Sequence, residues 1–182
     1  MSTASLSKLK VLIVDDNQNM RILLRSLLGV IGVKNIIDAS DGDKGFKVFQ
    51  EHAFDIVLCD IRMEPADGFS LLEKIRTDIK SRNPYIPFIF LSGHGEAIYV
   101  KKARDLGMNE FMVKPVTLDT LQQKIESALN NPRSFIKQAS YVGPDRRRQE
   151  RPIEGKDRRC YATSNTAAKN INAMPPLTPT PH

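Results

Sequence analysis

Short apolar runs alternate with stretches of helical periodicity along residues 9–131. The stretches of helical periodicity repeat apolar residues at intervals of three and four, as one face of an amphipathic helix does. Five strands alternating with five helices predict a parallel sheet with right-handed crossovers. Because the strand runs are apolar on both sides, helices must cover both faces of that sheet. The runs that predict strands fall near positions 10–14, 34–39, 54–60, 86–92 and 109–113.

The predicted helices have local start and stop signals. Gly32 follows the first helical stretch and Gly107 follows the fourth, and glycine commonly stands just after the end of a helix. Asp41-Gly42 precedes the second stretch, and Thr117 is a suitable N-cap for the fifth. These signals support helices between the apolar runs.

The periodic pattern stops after Asn131. Residues 132–182 are rich in Pro, Arg, Asn and Thr, and they cannot bury enough apolar surface to offset chain entropy. We therefore predict a flexible N-terminus over residues 1–7, one folded domain over 8–131, and a mostly disordered basic tail over 132–182.

Charge separates the same regions. Residues 1–131 contain 17 Lys and Arg against 17 Asp and Glu, whereas residues 132–182 contain 10 against 4. The whole formal excess of +6 therefore lies in the tail, which should be attracted to anions.

Some classes of protein are disfavoured by the sequence. No apolar stretch approaches the roughly 18 residues of a transmembrane helix, and the start has no apolar segment of the signal-peptide type. Cys59 and Cys160 are far apart and have no metal-binding or redox spacing. Two isolated cysteines fit a reducing compartment, so we expect a cytoplasmic protein.

Polar side chains end four of the predicted strands. Asp15 and Asp16 follow the first, Asp60 ends the third, Ser92 the fourth, and Lys114 follows the fifth. Parallel strands bring such residues to one edge, where clustered carboxylates would bind a hard cation such as Mg²⁺. A carboxylate there can act as a nucleophile toward a phosphoryl group. A single strand-end acid could simply cap a helix, but that does not explain all five residues together.

This ordered set resembles the receiver domains of two-component response regulators, over residues 8–131. The resemblance implies a flavodoxin-like fold, a doubly wound (βα)5 sheet with strand order 2-1-3-4-5. The family often has a proline where Glu64 stands here, and Pro65 follows one residue later. The motifs that carry the resemblance are Asp15-Asp16, Asp60 with Ile61-Arg62-Met63, Asp67-Gly68, Ser92-Gly93, and Lys114-Pro115, which matches the family's lysine and cis-proline pair.

The resemblance implies a role for each site residue. Asp60 would accept a phosphoryl group from the phosphohistidine of a histidine kinase or phosphotransfer protein. Lys114 would pair with Asp60 and then with the phosphoryl group, and Ser92 would move to bond a phosphoryl oxygen. A bound Mg²⁺ or Mn²⁺ would be held by the carboxylates of Asp16 and Asp60 and the backbone carbonyl of Arg62, with Asp15 holding a water on the metal.

The resemblance also implies a switch instead of an enzyme. Phe111, three residues before Lys114, stands where the family places its switch aromatic, and the alternative is a core aromatic of the fifth strand. The switched face would comprise the fourth helix, fifth strand and fifth helix and would bind a downstream protein in a pathway such as chemotaxis or motility. No DNA-binding output domain fits in the tail, and chemistry beyond phosphoryl acceptance and slow self-hydrolysis has no support.

The tail contains an imperfect repeat, because the sequence of residues 143–147 recurs with one change at 155–159. Three hypotheses compete: a solvated linker, nonspecific contact with nucleic acid or acidic membrane, and a cyclic di-GMP site. Few aromatic residues are interleaved, which disfavours the second. The third is favoured by a resemblance to arginine-rich extensions of chemotaxis-type receivers that bind cyclic di-GMP, and paired arginines suit phosphates and guanine edges. The predicted ligand-binding residues are Asp145, Arg146, Arg147, Arg148, Arg151, Asp157, Arg158 and Arg159.

Overall fold

A computed structural model describes residues 6–93, 97–130, 135–138 and 141–144. Within these ranges, strands and helices alternate in the order predicted from the sequence, and two further strands follow the last helix. The strands and helices are β1 (Lys10–Val14), α1 (Gln18–Ile31), β2 (Asn35–Ala39), α2 (Gly42–Glu51), β3 (Ile56–Asp60), α3 (Gly68–Thr77), β4 (Phe88–Ser92), α4 (Ala97–Asp105), β5 (Glu110–Val113), α5 (Leu118–Asn130), β6 (Phe135–Gln138) and β7 (Tyr141–Pro144).

The first five strands form one parallel sheet in the order β2-β1-β3-β4-β5, which confirms the predicted doubly wound fold. In β3 and β4 every residue is buried, because helices cover both faces of the sheet. Leu12 of β1 lies opposite Ile37 of β2 and Val57 of β3, so apolar side chains meet across the central strands.

Two apolar cores lie on opposite faces of the sheet. One is packed beneath α2, α3 and α4, and the other beneath α1 and α5. Neighbouring residues of a strand belong to different cores, because successive side chains of a strand point to opposite faces of the sheet. The first core takes Leu12, Val14, Val57 and Cys59, and the second takes Val11, Ile13, Ile56 and Leu58.

The predicted helix boundaries are present in the structure. Gly32 caps α1 with φ 101°, and Gly107 follows α4 with φ 93°, left-handed conformations that favour glycine. Asp41 accepts a hydrogen bond from the Lys44 backbone N–H, at 2.9 Å, and caps α2. The Thr117 hydroxyl accepts from the Thr120 N–H at 3.3 Å, as expected for an N-cap of α5.

The structure adds detail at both ends of the domain. Residues 1–7 were predicted to form a flexible N-terminus, and within them Leu6 is buried in the core beneath α1 and α5. Residues 132–182 were predicted to be mostly disordered, and within them the described strands β6 and β7 form an antiparallel hairpin. The reason lies in packing, because Ile136 is only 5% exposed and the Phe135 ring contacts Tyr85.

In the part of the chain that the structure describes, no helix is both long enough and apolar enough to cross a membrane.

Candidate functional site

The carboxyl edge of the sheet gathers the polar residues predicted to form the site. Strand register aligns the ends of β1, β3, β4 and β5, with Asp60 opposite Leu91 and Ser92 opposite Val113. The Lys114 backbone N–H donates to the Ser92 carbonyl at 2.7 Å, which continues the β4–β5 pairing to the edge. Asp15 and Ser92 are buried at this edge.

Lys114 bridges two carboxylates with one ammonium group. Its Nζ lies 2.7 Å from Asp60 Oδ1 and 3.0 Å from Asp15 Oδ2. Burial lowers the pKa of Lys114, but hydrogen bonds and charge attraction from the two carboxylates outweigh it and raise the pKa. Lys114 is therefore firmly charged, and it offsets the repulsion between the two acids.

Asp60 ends β3 with both carboxylate oxygens in contact with donors. Oδ1 faces Lys114, and Oδ2 accepts from the Arg62 backbone N–H at 3.1 Å. Burial raises the pKa of Asp60, and the negative charge of Asp15 raises it further, against the lowering effect of Lys114. A buried carboxylate so oriented beside a fixed cation is suited to nucleophilic attack on an electrophilic phosphorus.

Asp15 is fully buried, whereas Asp16 is exposed. The Asp15 Oδ1 atom accepts from the Asn17 N–H at 2.9 Å, so both Asp15 oxygens contact donors within the protein. Asp16 instead lines an open cleft of about 570 Å³ on the same edge. The other charged or polar residues that line this cleft are Arg62, Glu64, Asp67, Tyr99 and Lys102.

No three His, Cys, Asp or Glu side chains are arranged as a metal-binding cluster among the described residues. Mg²⁺ does not require one, because it commonly binds through one or two carboxylates and retains several waters. The carboxylates of Asp15, Asp16 and Asp60 provide the hard oxygen donors that this ion prefers. The chemistry of the donor set therefore fits Mg²⁺, and the ligand set that includes the Arg62 carbonyl stays a prediction.

The sequence did not predict the contacts of the Arg62 side chain. Its guanidinium donates to the Tyr99 hydroxyl at 2.8 Å and lies 5.1 Å from the centroid of that ring. Tyr99 stacks on Phe69, whose ring is in turn covered by the Lys102 ammonium at 4.2 Å. No local signal predicts these contacts, because 37 positions separate Arg62 from Tyr99. Arg62 thus contacts Asp60 through its backbone and α4 through its side chain.

The Asp67-Gly68 pair lies where the start of α3 packs closely against the end of β3. A Cβ atom at position 68 would lie 2.1 Å from the Asp60 backbone oxygen and 2.9 Å from Cys59 Sγ. The N-terminus of α3 can therefore approach the end of β3 only with glycine at this position. Asp67 caps the same helix by accepting from the Ser70 N–H at 2.8 Å.

Phe111 lies in β5 opposite Phe90 and is partly buried against the core beneath α2, α3 and α4. This position agrees with both alternatives, a core aromatic and a switch residue, so the switch role stays a prediction. Lys114-Pro115 has the cis peptide bond that the resemblance implied, and Glu64-Pro65 is also cis.

The predicted tail site lies outside the described residues. All eight residues assigned to it are at position 145 or beyond, where the structure describes nothing. The cyclic di-GMP hypothesis therefore stays a prediction from the sequence.

The fold and site define a class of protein: a doubly wound α/β domain with a lysine-bridged pair of carboxylates at the carboxyl edge of its sheet. A family model described as the response regulator receiver domain matches residues 11–126. The chain belongs to this family of two-component signalling proteins.

Relatives and solved structures agree with this assignment. The chain is 36% identical over 120 residues to a probable chemotaxis protein CheY of Rhizobium etli, covering 66% of this chain and 92% of that protein. It is 31% identical over 118 residues to the chemotaxis protein CheY of Pseudomonas aeruginosa, covering 65% and 94%. A solved CheX-CheY-BeF3-Mg²⁺ complex from Borrelia burgdorferi matches with a TM-score of 0.60 and 30% identity, covering 65% of this chain and 87% of that one.

Proposed function

We propose that this protein is a response regulator whose Asp60 accepts a phosphoryl group from a histidine kinase or phosphotransfer protein. The observation that carries the proposal is the setting of Asp60, a buried carboxylate held by the Lys114 ammonium at 2.7 Å at the carboxyl edge of the sheet. Membership of the receiver family supports the same chemistry. The phosphoryl group would be passed on or hydrolysed slowly, without further catalysis.

The proposed transfer uses Asp60 as the nucleophile. A carboxylate oxygen attacks the phosphorus of phosphohistidine, the P–N bond breaks, and the imidazole leaves with the electron pair and takes up a proton. The product is an acyl phosphate on Asp60. Lys114 stays charged throughout because Asp15 also holds it, so its ammonium can move its contact from Asp60 to a phosphoryl oxygen.

A divalent ion completes this proposal. The carboxylates of Asp16 and Asp60, with the Arg62 backbone carbonyl, would hold Mg²⁺, and Asp15 would hold a water on the ion. The ion would neutralise charge on the phosphoryl oxygens during transfer. The exposure of Asp16 on the cleft leaves one carboxylate open to an incoming ion.

The output is proposed to be binding of a protein through the face formed by α4, β5 and α5. Two apolar side chains of this face are exposed, Ile98 at 70% and Val113 at 48%. Ser92 at the end of β4 and Phe111 in β5 would transmit the phosphorylation state of Asp60 to this face. Similarity to CheY proteins favours a role in chemotaxis or motility.

The test is labelling with a small phosphodonor. Full-length protein is incubated with acetyl phosphate and Mg²⁺, and intact mass is followed for the addition of one phosphoryl group. Wild type is expected to be labelled, Asp60→Asn to be unlabelled, and Asp43→Asn to behave as wild type, because Asp43 lies in α2, outside the site. Failure to label wild type under conditions that label a control receiver would overturn the proposal.

A second candidate function is a response to cyclic di-GMP through the tail. What supports it is the repeated Asp-Arg-Arg sequence at positions 145–147 and 157–159. In this alternative the dinucleotide controls the output, and phosphorylation is secondary.

A further inference from the structure

The amino edge of the sheet, opposite the phosphoacceptor site, contains a buried arginine. Arg76 lies in the last turn of α3 and is only 3% exposed. Burying a guanidinium is costly unless its donors are satisfied, and this one donates to several acceptors in the loops before β4 and β5. These are the backbone carbonyls of Pro84 at 2.7 Å, Ile86 at 2.9 Å and Gly107 at 3.0 Å, and the Asn109 side-chain oxygen at 3.3 Å.

One aromatic residue of the C-terminal hairpin covers this arginine. The Phe135 ring centroid lies 5.4 Å from Arg76 Cζ, so the cation faces the aromatic ring. The same ring meets Tyr85 edge-on, with centroids 5.2 Å apart and planes at 88°. The next residue, Ile136, is buried. The first half of β6 is thus packed onto the domain.

The second strand of the hairpin joins this contact. Pro144 lies opposite Phe135 and Gly143 lies opposite Ile136, and both β7 residues are buried. A two-stranded hairpin alone is marginally stable in water. The hairpin therefore depends on its contact with the amino edge, and Phe135 makes the described aromatic contacts there.

We propose that Arg76 and Tyr85 form a docking socket for the chain's own C-terminal hairpin, with Phe135 as the anchor. The folded unit then extends to Pro144, beyond the family match that ends at residue 126. The socket lies at the start of β4, whereas Ser92 lies at its end, about 13 Å away at the rise of a β-strand. The described part of the hairpin therefore lies at the edge of the sheet opposite Asp60.

This proposal does not depend on phosphorylation, and hydrogen exchange of the full-length protein tests it. Peptides covering residues 135–144 are followed by mass spectrometry in wild type, Phe135→Ala, Tyr85→Ala and the double variant. Ile79→Ala is the matched control, because Ile79 is 98% exposed. Peptides covering β3 report whether the receiver core stays folded.

Each single variant is expected to accelerate exchange in residues 135–144 by roughly three- to ten-fold, as loss of an aromatic contact weakens a local unit. The double variant should add less than the two single effects combined, because both remove the same contact. Exchange in β3 and in Ile79→Ala should match wild type. The proposal is overturned if residues 135–144 exchange equally in wild type and Phe135→Ala, or if any acceleration there is matched in β3.

Discussion

At the scale of single residues, the state of Asp60 is set by opposing neighbours. Burial raises its pKa, the hydrogen bond and charge of Lys114 lower it, and the negative charge of Asp15 raises it again. Because Asp60 attacks in its ionised form, the acid limb of its reactivity should lie above the ordinary value of 3.8. Substituting each neighbour separately distinguishes the two charge effects.

We expect Lys114→Gln and Asp15→Asn to move the pKa of Asp60 in opposite directions. Loss of the cation should raise the midpoint, and loss of the second carboxylate should lower it. The measurement is a ¹³C NMR titration of the Asp60 carboxyl in metal-free protein. Asp43→Asn serves as the control and should leave the midpoint unchanged. Midpoints that shift in the same direction in both site variants would contradict this account of the charges.

The sequence predicted those residues of the site that lie at the ends of strands. Asp60 and Lys114 follow apolar runs, so a parallel sheet necessarily brings them to one edge. The contact between Arg62 and Tyr99 could not be predicted in the same way, because it joins a loop to a helix through side-chain conformations. The contact of one Lys114 ammonium with both Asp15 and Asp60 could not be predicted either, because it depends on side-chain conformations.

At the scale of elements, the junction of β3 with α3 is the tightest approach near the site. A Cβ at Gly68 would overlap the Asp60 backbone oxygen, whereas one at Gly29 in α1 would meet no atom within 4 Å. We expect Gly68→Ala to lower the free energy of unfolding by about 1–3 kcal/mol through forced backbone displacement. Gly29→Ala should raise it by about 0.5–1 kcal/mol, because alanine loses less entropy in a helix.

Urea unfolding of the two glycine variants provides the measurement. Gly68→Ala should also be labelled more slowly by a phosphodonor, since its clash is with the backbone of Asp60, whereas Gly29→Ala should be labelled like wild type. Equal free energies of unfolding for the two variants would contradict this prediction, because they would show that α3 can move away from β3 with no loss of stability.

The five strands and five helices of the domain could be predicted because each carries its own periodicity and end signals. The β6–β7 hairpin could not, because its four-residue strands show no sustained apolar periodicity and it packs against Arg76 and Tyr85, far away in sequence. The burial of Leu6 could not be predicted for a related reason, since one apolar residue before β1 has no pattern and is buried by the helices packed around it.

At the scale of the whole molecule, charge and structure divide the chain differently. The formal charge changes after residue 131, whereas described regular structure continues to Pro144. Lys137 therefore belongs to the basic region in sequence but lies in the strand β6. The Asp-Arg-Arg repeats begin immediately after Pro144, the last residue of β7. All residues of the predicted tail site follow Pro144 and lie outside the described residues.

The hypothesis that the tail binds cyclic di-GMP leads to a prediction. If the repeats form a site, calorimetric titration into the full-length protein should give binding that is retained when salt is raised, because bidentate arginine contacts do not rely on long-range charge alone. Alanine at Arg146, Arg147, Arg158 and Arg159 should abolish the binding. Asp60→Asn should leave it intact, since Asp60 is not among the residues predicted to bind the dinucleotide. Absent binding, or a weak signal erased by salt, would reduce the tail to a solvated basic segment and leave Asp60 as the proposed control point.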